Sequence, residues 1–186
     1  MLFIFVLRVF YVFNNFHDFY QIYQAPYFFG IIFNIKKEES NMYKYDDIAN
    51  WFLSRRPINP KKLNKLVYFA YAWELTLEHK KLFKDGKFEA WINGPIIPKL
   101  FYEYKNYGYE EIDKVVKRPS FDRHTESILN QVWRIYGRYN ADQLESLTHQ
   151  STPWQNARKG CSPLEKCTKI IKDEDIVNYY SKGQIS

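Results

Sequence analysis

The sequence predicts a mainly α (α+β) fold, a single compact helical domain with a small β-hairpin. Helix start signals and apolar residues at helical spacing recur across residues 46–180. The alternation typical of a strand with one buried face is confined to residues 88–93. With 186 residues, of which 46% are hydrophobic and 26% charged, the chain is long enough for one ordinary domain with a core.

Residues 1–41 are expected to lie outside this domain. They are rich in Phe, Tyr, Ile and Val, but they lack the basic start and the cleavage site of a signal peptide. Their longest apolar run is shorter than the roughly 20 residues of a membrane-spanning helix. Lys37, Glu38 and Glu39 can be encoded as a ribosome-binding purine tract just before Met42. We therefore predict that translation starts at Met42 and that residues 42–186 form the domain. The alternative is a disordered or hydrophobic extension, such as a helix on a membrane surface.

The first two helices carry clear start signals. Asp46 and Asp47 suit the positive end of a helix dipole, and Pro57 ends that first helix. Asn59 is a good cap, and Pro60 follows it at the first helical position. The helix that begins there is the longest apolar helix in the chain. Because it is apolar on nearly all sides, we expect it to be central.

A hairpin is predicted next, with residues 88–92 as one strand. Asp85 and Gly86 are typical of a tight turn, so Leu82 and Phe83 are the expected partner strand. Gly94 and Pro95 then predict a sharp strand-to-helix corner, because glycine permits unusual backbone angles and proline lacks an N–H.

The remaining elements are predicted from caps and spacing. A helix starts at Pro98 and ends at Gly108, with Ile97, Phe101 and Tyr104 along one side. Residues 108–120 are expected to be extended or loop-like. Four further helices are predicted from capping signals. Ser120 or Asp122 caps a helix that runs to about Tyr139, and Asn140 with Gln143 caps the next one. The last two helices start at Ser151 with Pro153 and at Asp173. Val115, Val116 and Ile112 are the expected anchors of the loop.

The sequence contains no catalytic or cofactor motif that we can identify. Its glycines occur singly rather than in a phosphate-binding loop, and His79, His124 and His149 are scattered. His149 and Cys161 could be combined as a base and a nucleophile, but no spacing supports this, and a helix-end histidine is commoner. Cofactors, metals and enzymatic activity are therefore not expected.

Two carboxylates and two cysteines require separate interpretation. Glu74 and Glu89 lie near aromatic residues, and either could be a buried acid, although half-exposed or lysine-paired carboxylates are commoner. Cys161 and Cys167 match no metal spacing, and we interpret them as free cytosolic thiols.

The charge distribution favours a solvated surface over a nucleic-acid footprint. The net charge is +6, but acidic residues are interleaved with the basic ones. Trp91, Trp154 and the tyrosines could form a protein-binding surface, although a core position is commoner for each. The basic residues cluster at Arg55 and Arg56, at Lys61, Lys62 and Lys65, and at Lys80, Lys81, Lys84 and Lys87.

Three stretches carry a family resemblance: LNKLVYFAYAWEL at residues 63–75, FEAWINGPIIPKLFYEYKNYG at 88–108, and LESLTHQSTPWQNAR at 144–158. Together they resemble the Panacea domain, the SocA-like antitoxin family that also includes phage- and mobile-element-associated proteins. The resemblance covers about residues 42–180, and residues 1–41 match nothing in it. The positions that match the family motifs are Ala90, Trp91, Gly94, Pro95, Pro98, Tyr104, His149, Pro153 and Trp154.

The resemblance implies a bacterial, cytoplasmic antitoxin without enzymatic activity that neutralises a cognate toxin by binding it. It also implies a second mode, delivery of a bound partner to an ATP-dependent protease. A nucleic-acid-binding regulator that uses the lysine clusters is the alternative, and no membrane partner is expected. We interpret most of the motif residues as scaffold, with partner binding as the alternative; the glycine and prolines are expected to set the strand-to-helix corner and the tryptophans to fill the core.

Overall fold

The computed structural model describes residues 43–182, and the prediction that translation starts at Met42 lies outside them. The described chain is mainly helical with one small hairpin, as predicted. Its seven α-helices are α1 (Tyr45–Leu53), α2 (Pro60–Glu78), α3 (Pro98–Tyr104), α4 (Arg123–Tyr136), α5 (Ala141–His149), α6 (Thr152–Arg158) and α7 (Asp173–Tyr180). The strands are β1 (Glu89–Trp91) and β2 (Gly94–Ile96), and a 3-10 turn, Lys105–Tyr107, follows α3.

Helix α2 forms the centre of the fold, as its apolar sequence predicted. The Asn59 side chain accepts a hydrogen bond from the Lys62 amide at 2.8 Å, and Pro60 occupies the first turn. Buried residues lie on all sides of the helix, among them Leu66 and Tyr68, neither of which is exposed. Helices α1, α3, α4, α5 and α7 and strand β2 all contact it.

The predicted hairpin partner was wrong. Strand β1 pairs antiparallel with β2, with Ala90 opposite Pro95, and not with Leu82 and Phe83. Gly94 has a φ of +94°, and the chain reverses directly after Trp91. The glycine and proline therefore belong to the second strand instead of forming a strand-to-helix corner. The next helix does begin at Pro98.

A later segment extends this small sheet. The amide of Ala90 donates to the carbonyl oxygen of Lys169 at 2.9 Å, and the amide of Ile171 donates to that of Phe88 at 2.8 Å. The segment before α7 is thus fixed along the outer side of β1.

The capping signals were largely correct. Asp122 accepts hydrogen bonds from the amides of His124 and Thr125, and Asn140 forms the predicted capping box with Gln143. Helix α4 is shorter than predicted and ends at Tyr136. In the preceding loop Ile112 is buried, whereas the Val115 side chain is 97% exposed, so its predicted anchoring role was wrong.

The interpretation of the cysteines as free thiols was also wrong, because Cys161 and Cys167 are joined by a disulfide. Their Cα atoms lie 6.1 Å apart, within the usual range for a disulfide. The Arg158 guanidinium donates hydrogen bonds to the carbonyl oxygens of Ser162, Pro163 and Glu165, and these bonds stabilise the loop between the two cysteines. No helix within residues 43–182 combines the length and the apolar content needed to cross a membrane.

Candidate functional site around the hairpin

Most of the residues that match the family motifs meet where the hairpin packs on helices α2, α5 and α6. Ala90 and Pro95 are buried opposite each other in the hairpin. His149 ends α5, and Pro153 and Trp154 lie in the first turn of α6. Pro98 and Tyr104 lie apart from this junction, at the two ends of α3, where Tyr104 is buried in the core.

A lysine that sequence reasoning had counted as surface lies beneath the hairpin. Lys65, on α2, has no exposed surface, and its Nζ donates to the carbonyl oxygen of Pro95 at 3.2 Å. Burial lowers the pKa of Lys65 to about 7, although Glu145 acts in the opposite direction. Its position within an all-round apolar helix was the sequence signal for its burial.

Gly94 is confined by this lysine. A Cβ atom at Gly94 would lie 2.6 Å from Thr148 Oγ1 and 2.7 Å from Lys65 Cε, and the φ of +94° disfavours any side chain. The hairpin backbone can approach α2 and α5 this closely only with glycine at this position.

Charged groups from α2 and α5 surround the buried amine. Lys61 pairs with Asp142 at 2.7 Å and also with Glu145. Glu145 lies 4.0 Å from His149 Nε2, and burial lowers the pKa of His149. His149 does not form a base–nucleophile pair with Cys161, because its ring stacks on Trp154 at 4.1 Å and the Cys161 sulfur is bonded to Cys167.

Two side chains of α6 fasten the hairpin from the other side. Trp154 Nε1 donates to the carbonyl oxygen of Trp91 at 2.9 Å. Arg158, which the sequence did not single out, is buried and donates from Nη1 to the carbonyl oxygen of Ala90 at 2.9 Å. Both bonds end on backbone carbonyls, so α6 fixes the course of β1.

The Trp91 ring lies outside the core, in contrast to the expectation that the tryptophans fill it. It is half-buried and contacts Phe101 at 5.1 Å and Tyr102 at 6.1 Å between ring centroids. Lys166 Nζ lies 4.1 Å from the Trp91 ring centroid and donates to Tyr102 Oη at 3.2 Å. Tyr102 is 51% exposed and Ile92 37%. We call Trp91, Ile92, Phe101, Tyr102 and Lys166 the aromatic face.

The structure separates the basic clusters into buried and exposed groups. Lys62 and Lys65 are buried, and Lys61 forms ion pairs with Asp142 and Glu145. Arg55 lies over the ring of Trp51, 4.3 Å from its centroid. The cluster at Lys80, Lys81, Lys84 and Lys87, beyond the end of α2, is the predicted cluster in which every member is exposed.

The two candidate acids differ in environment. Glu74 is buried, lies 3.3 Å from His124 Nε2, and has its pKa raised by burial. Glu89 is half-buried and accepts a hydrogen bond from Trp91 Nε1 at 2.6 Å. Within residues 43–182, no group of three or more His, Cys, Asp or Glu side chains is arranged to hold a metal ion.

The central helix, the hairpin and the α5–α6 junction fall within one family match. The profile of the family described as "Antitoxin SocA-like, Panacea domain" matches residues 63–155, half of the chain. No curated protein and no solved structure is significantly similar to the chain. The family description implies an antitoxin role, a protein partner such as a toxin, and a non-enzymatic activity. The match places this chain in the SocA-like antitoxin family, with the hairpin and most of its supporting helices inside the matched residues.

Proposed function

We propose that this protein is a cytoplasmic bacterial antitoxin that neutralises a companion toxin by direct, stoichiometric binding. Membership in the SocA-like antitoxin family supports this role. The motif residues of the hairpin are held by internal contacts, since Lys65, Trp154 and Arg158 all donate hydrogen bonds to hairpin carbonyl oxygens. In this proposal they are the scaffold, and the toxin binds a surface that the scaffold presents.

The aromatic face is the surface we propose for toxin binding. Tyr102 and Ile92 expose large apolar area beside Trp91, and Lys166 contributes a positive charge that lies on the aromatic rings. Exposed tryptophan and tyrosine side chains provide most of the energy in many protein interfaces. Because β1 and α3 carry these rings on a fixed scaffold, little entropy would be lost on binding.

The test is growth of a bacterial host that expresses the adjacent open reading frame, with and without this protein. We expect toxicity that the wild-type chain relieves. Tyr102→Ala should require about tenfold or more protein for the same relief, as expected for an interface anchor. Tyr109→Ala is the matched control, because Tyr109 is a more exposed tyrosine, at 84%, outside the aromatic face.

Three kinds of result would contradict this proposal in different ways. A harmless neighbour, or toxicity that the wild-type chain does not relieve, would contradict the antitoxin role and favour a nucleic-acid-binding regulator, for which steeply salt-dependent DNA binding is the test. Equal relief by Tyr102→Ala and wild type would place the toxin on another surface. Loss of the partner that requires an ATP-dependent protease would identify an adaptor.

A further inference from the structure

A cleft of about 290 Å³ lies between the end of α2, the loop before β1 and the start of α7. Tyr71, Phe83 and Phe88 line it with rings that are buried in the core. Lys81, Lys84, Lys87 and Lys172 also line it, and all four are exposed. The cleft therefore combines an apolar floor with a positively charged rim.

Most of the rim charge is uncompensated. Lys81 pairs with Asp173 at 2.7 Å, and Asp173 also accepts a hydrogen bond from Tyr71 Oη at 3.0 Å. Lys84, Lys87 and Lys172 form no ion pair with any residue in the described range 43–182. Glu174 is the remaining acid of the lining, so the cleft keeps a positive balance.

We propose that this cleft binds an acidic peptide segment of a partner protein, with one aromatic or aliphatic side chain on the floor and aspartate or glutamate residues against the lysines. The volume lies just below the range of ligand pockets, about 300–1,000 Å³, and suits one anchoring side chain better than a cofactor. Carboxylates complement Lys84, Lys87 and Lys172, and such complementarity gives binding its specificity.

A peptide fits this cleft better than a nucleic acid. The first turn of α7 carries Asp173, Glu174 and Asp175, and two of these line the cleft. A continuous chain of phosphates would meet these acids, whereas a peptide can place single carboxylates beside the lysines alone. The exposed Ile170, at 44%, adds apolar contact area at the rim.

This site is separate from the aromatic face and shares no residue with it, so the inference does not depend on the proposed function. The test uses the purified full chain and a dye-labelled peptide in which aspartate alternates with phenylalanine, followed by fluorescence anisotropy. A second peptide, with asparagine in place of aspartate, measures the contribution of charge. We expect the acidic peptide to bind and the asparagine peptide not to bind, and we expect the acidic peptide to bind more weakly as the salt concentration rises.

The variant Lys84→Glu/Lys87→Glu should weaken binding of the acidic peptide by about tenfold or more, since two rim charges are reversed. Lys117→Glu/Arg134→Glu is the matched control, because it reverses two exposed charges elsewhere and gives the same net charge. Ile170→Ser should weaken binding of the phenylalanine-containing peptide and should not change binding of a peptide made of aspartate and serine. Circular dichroism establishes that each variant is folded.

Three results would overturn the proposal. Equal binding of the acidic and neutral peptides would show that the lysines are not used. Equal weakening in both double variants would show that net charge, and not this cleft, is responsible. Tighter binding of single-stranded DNA that only Lys84→Glu/Lys87→Glu abolishes would assign the cleft to nucleic acid. None of these measurements involves the toxin, so failure here and failure of the antitoxin role are distinguishable.

Discussion

The Lys65 Nζ and the Pro95 carbonyl oxygen lie 3.2 Å apart, and both residues are buried. This hydrogen bond joins residues that are 30 positions apart in the sequence and fixes β2 on the central helix. The amine is completely removed from water, which disfavours its charged form. The same contact therefore makes stability depend on pH.

We predict that the free energy of unfolding rises with pH between about pH 7 and about pH 10 through the titration of Lys65. The folded pKa is about 7 and the ordinary value is 10.5, so in this window the unfolded chain binds one more proton at this residue. The slope should approach about 1.4 kcal/mol per pH unit and vanish below pH 7. Urea unfolding at a series of pH values measures it.

The comparison with Lys65→Met isolates this contribution, since methionine is similar in size and does not titrate. The difference between wild type and Lys65→Met should change with pH, whereas Lys84→Met, which removes an exposed lysine, should keep the wild-type slope. Parallel curves for wild type and Lys65→Met would show that the amine stays charged when folded.

Gly94→Ala is expected to destabilise the protein by about 2–4 kcal/mol, because backbone strain and steric overlap combine. The φ is +94°, and the new methyl group would meet Thr148 and Lys65. Gly108→Ala is the matched control, since its φ is +55° and no atom lies within 4 Å of the added Cβ. That variant should lose about 1–3 kcal/mol, from backbone strain alone. Thermal and urea unfolding would measure both.

A different outcome for Gly94→Ala would argue against the scaffold interpretation. If this variant unfolds like wild type and still fails to relieve toxicity, the glycine contributes to partner binding. If it is destabilised as much as Gly108→Ala and no more, Lys65 and Thr148 must be able to move away.

The helices could be predicted from the sequence because their start signals are local. The bond from the Lys62 amide to Asn59, like those of the Asn140–Gln143 capping box, spans three residues. A window of a few residues therefore contains the whole interaction, and no distant contact is needed to identify it.

The choice of hairpin partner and the hydrogen bond of the buried lysine depend on contacts that no local pattern shows. A strand at residues 88–92 could pair with the segment before it or the one after it, and the choice follows from the φ of Gly94 and from docking on Lys65. A lysine is expected at the surface even in an apolar helix, and the Pro95 carbonyl oxygen that pairs with its buried amine lies 30 positions further along the chain. The disulfide likewise depends on a loop that Arg158 organises.

Trp154→Phe should loosen the hairpin by removing one hydrogen bond. The indole Nε1 donates to the Trp91 carbonyl oxygen, and loss of that donor should cost about 1 kcal/mol beyond the lost packing. The measurement is amide hydrogen exchange at Ala90, whose N–H bonds to Lys169 in the same sheet. Exchange at Ala90 should be faster in the variant.

The control for lost packing is Trp133→Phe, which removes the same atoms from another half-buried tryptophan. Trp133 Nε1 donates no hydrogen bond to a residue in the described part of the chain. Equal exchange rates at Ala90 in the two variants would mean that the Trp154 bond does not hold the hairpin.

Glu74→Gln should stabilise the protein at neutral pH, with the gain disappearing in acid. Burial raises the pKa of Glu74, and the opposing attraction of His124 is smaller. Because the pKa of Glu74 is higher in the folded than in the unfolded chain, its protonation stabilises the folded state at a pH below the ordinary pKa of 4.5. This stabilisation is lost as the pH rises through the folded-state pKa. Glutamine has no charge to bury, so it avoids this loss above that pH.

Unfolding of Glu74→Gln and wild type in urea, at neutral pH and near pH 4, tests this expectation. Glu78→Gln is the control, because Glu78 also faces His124, at 3.6 Å, but its side chain is 33% exposed. It should show no comparable gain. If Glu74→Gln is instead less stable at neutral pH, the Glu74–His124 pair contributes more attraction than the burial of the carboxylate costs, and the bridge between α2 and α4 is a stabilising ion pair.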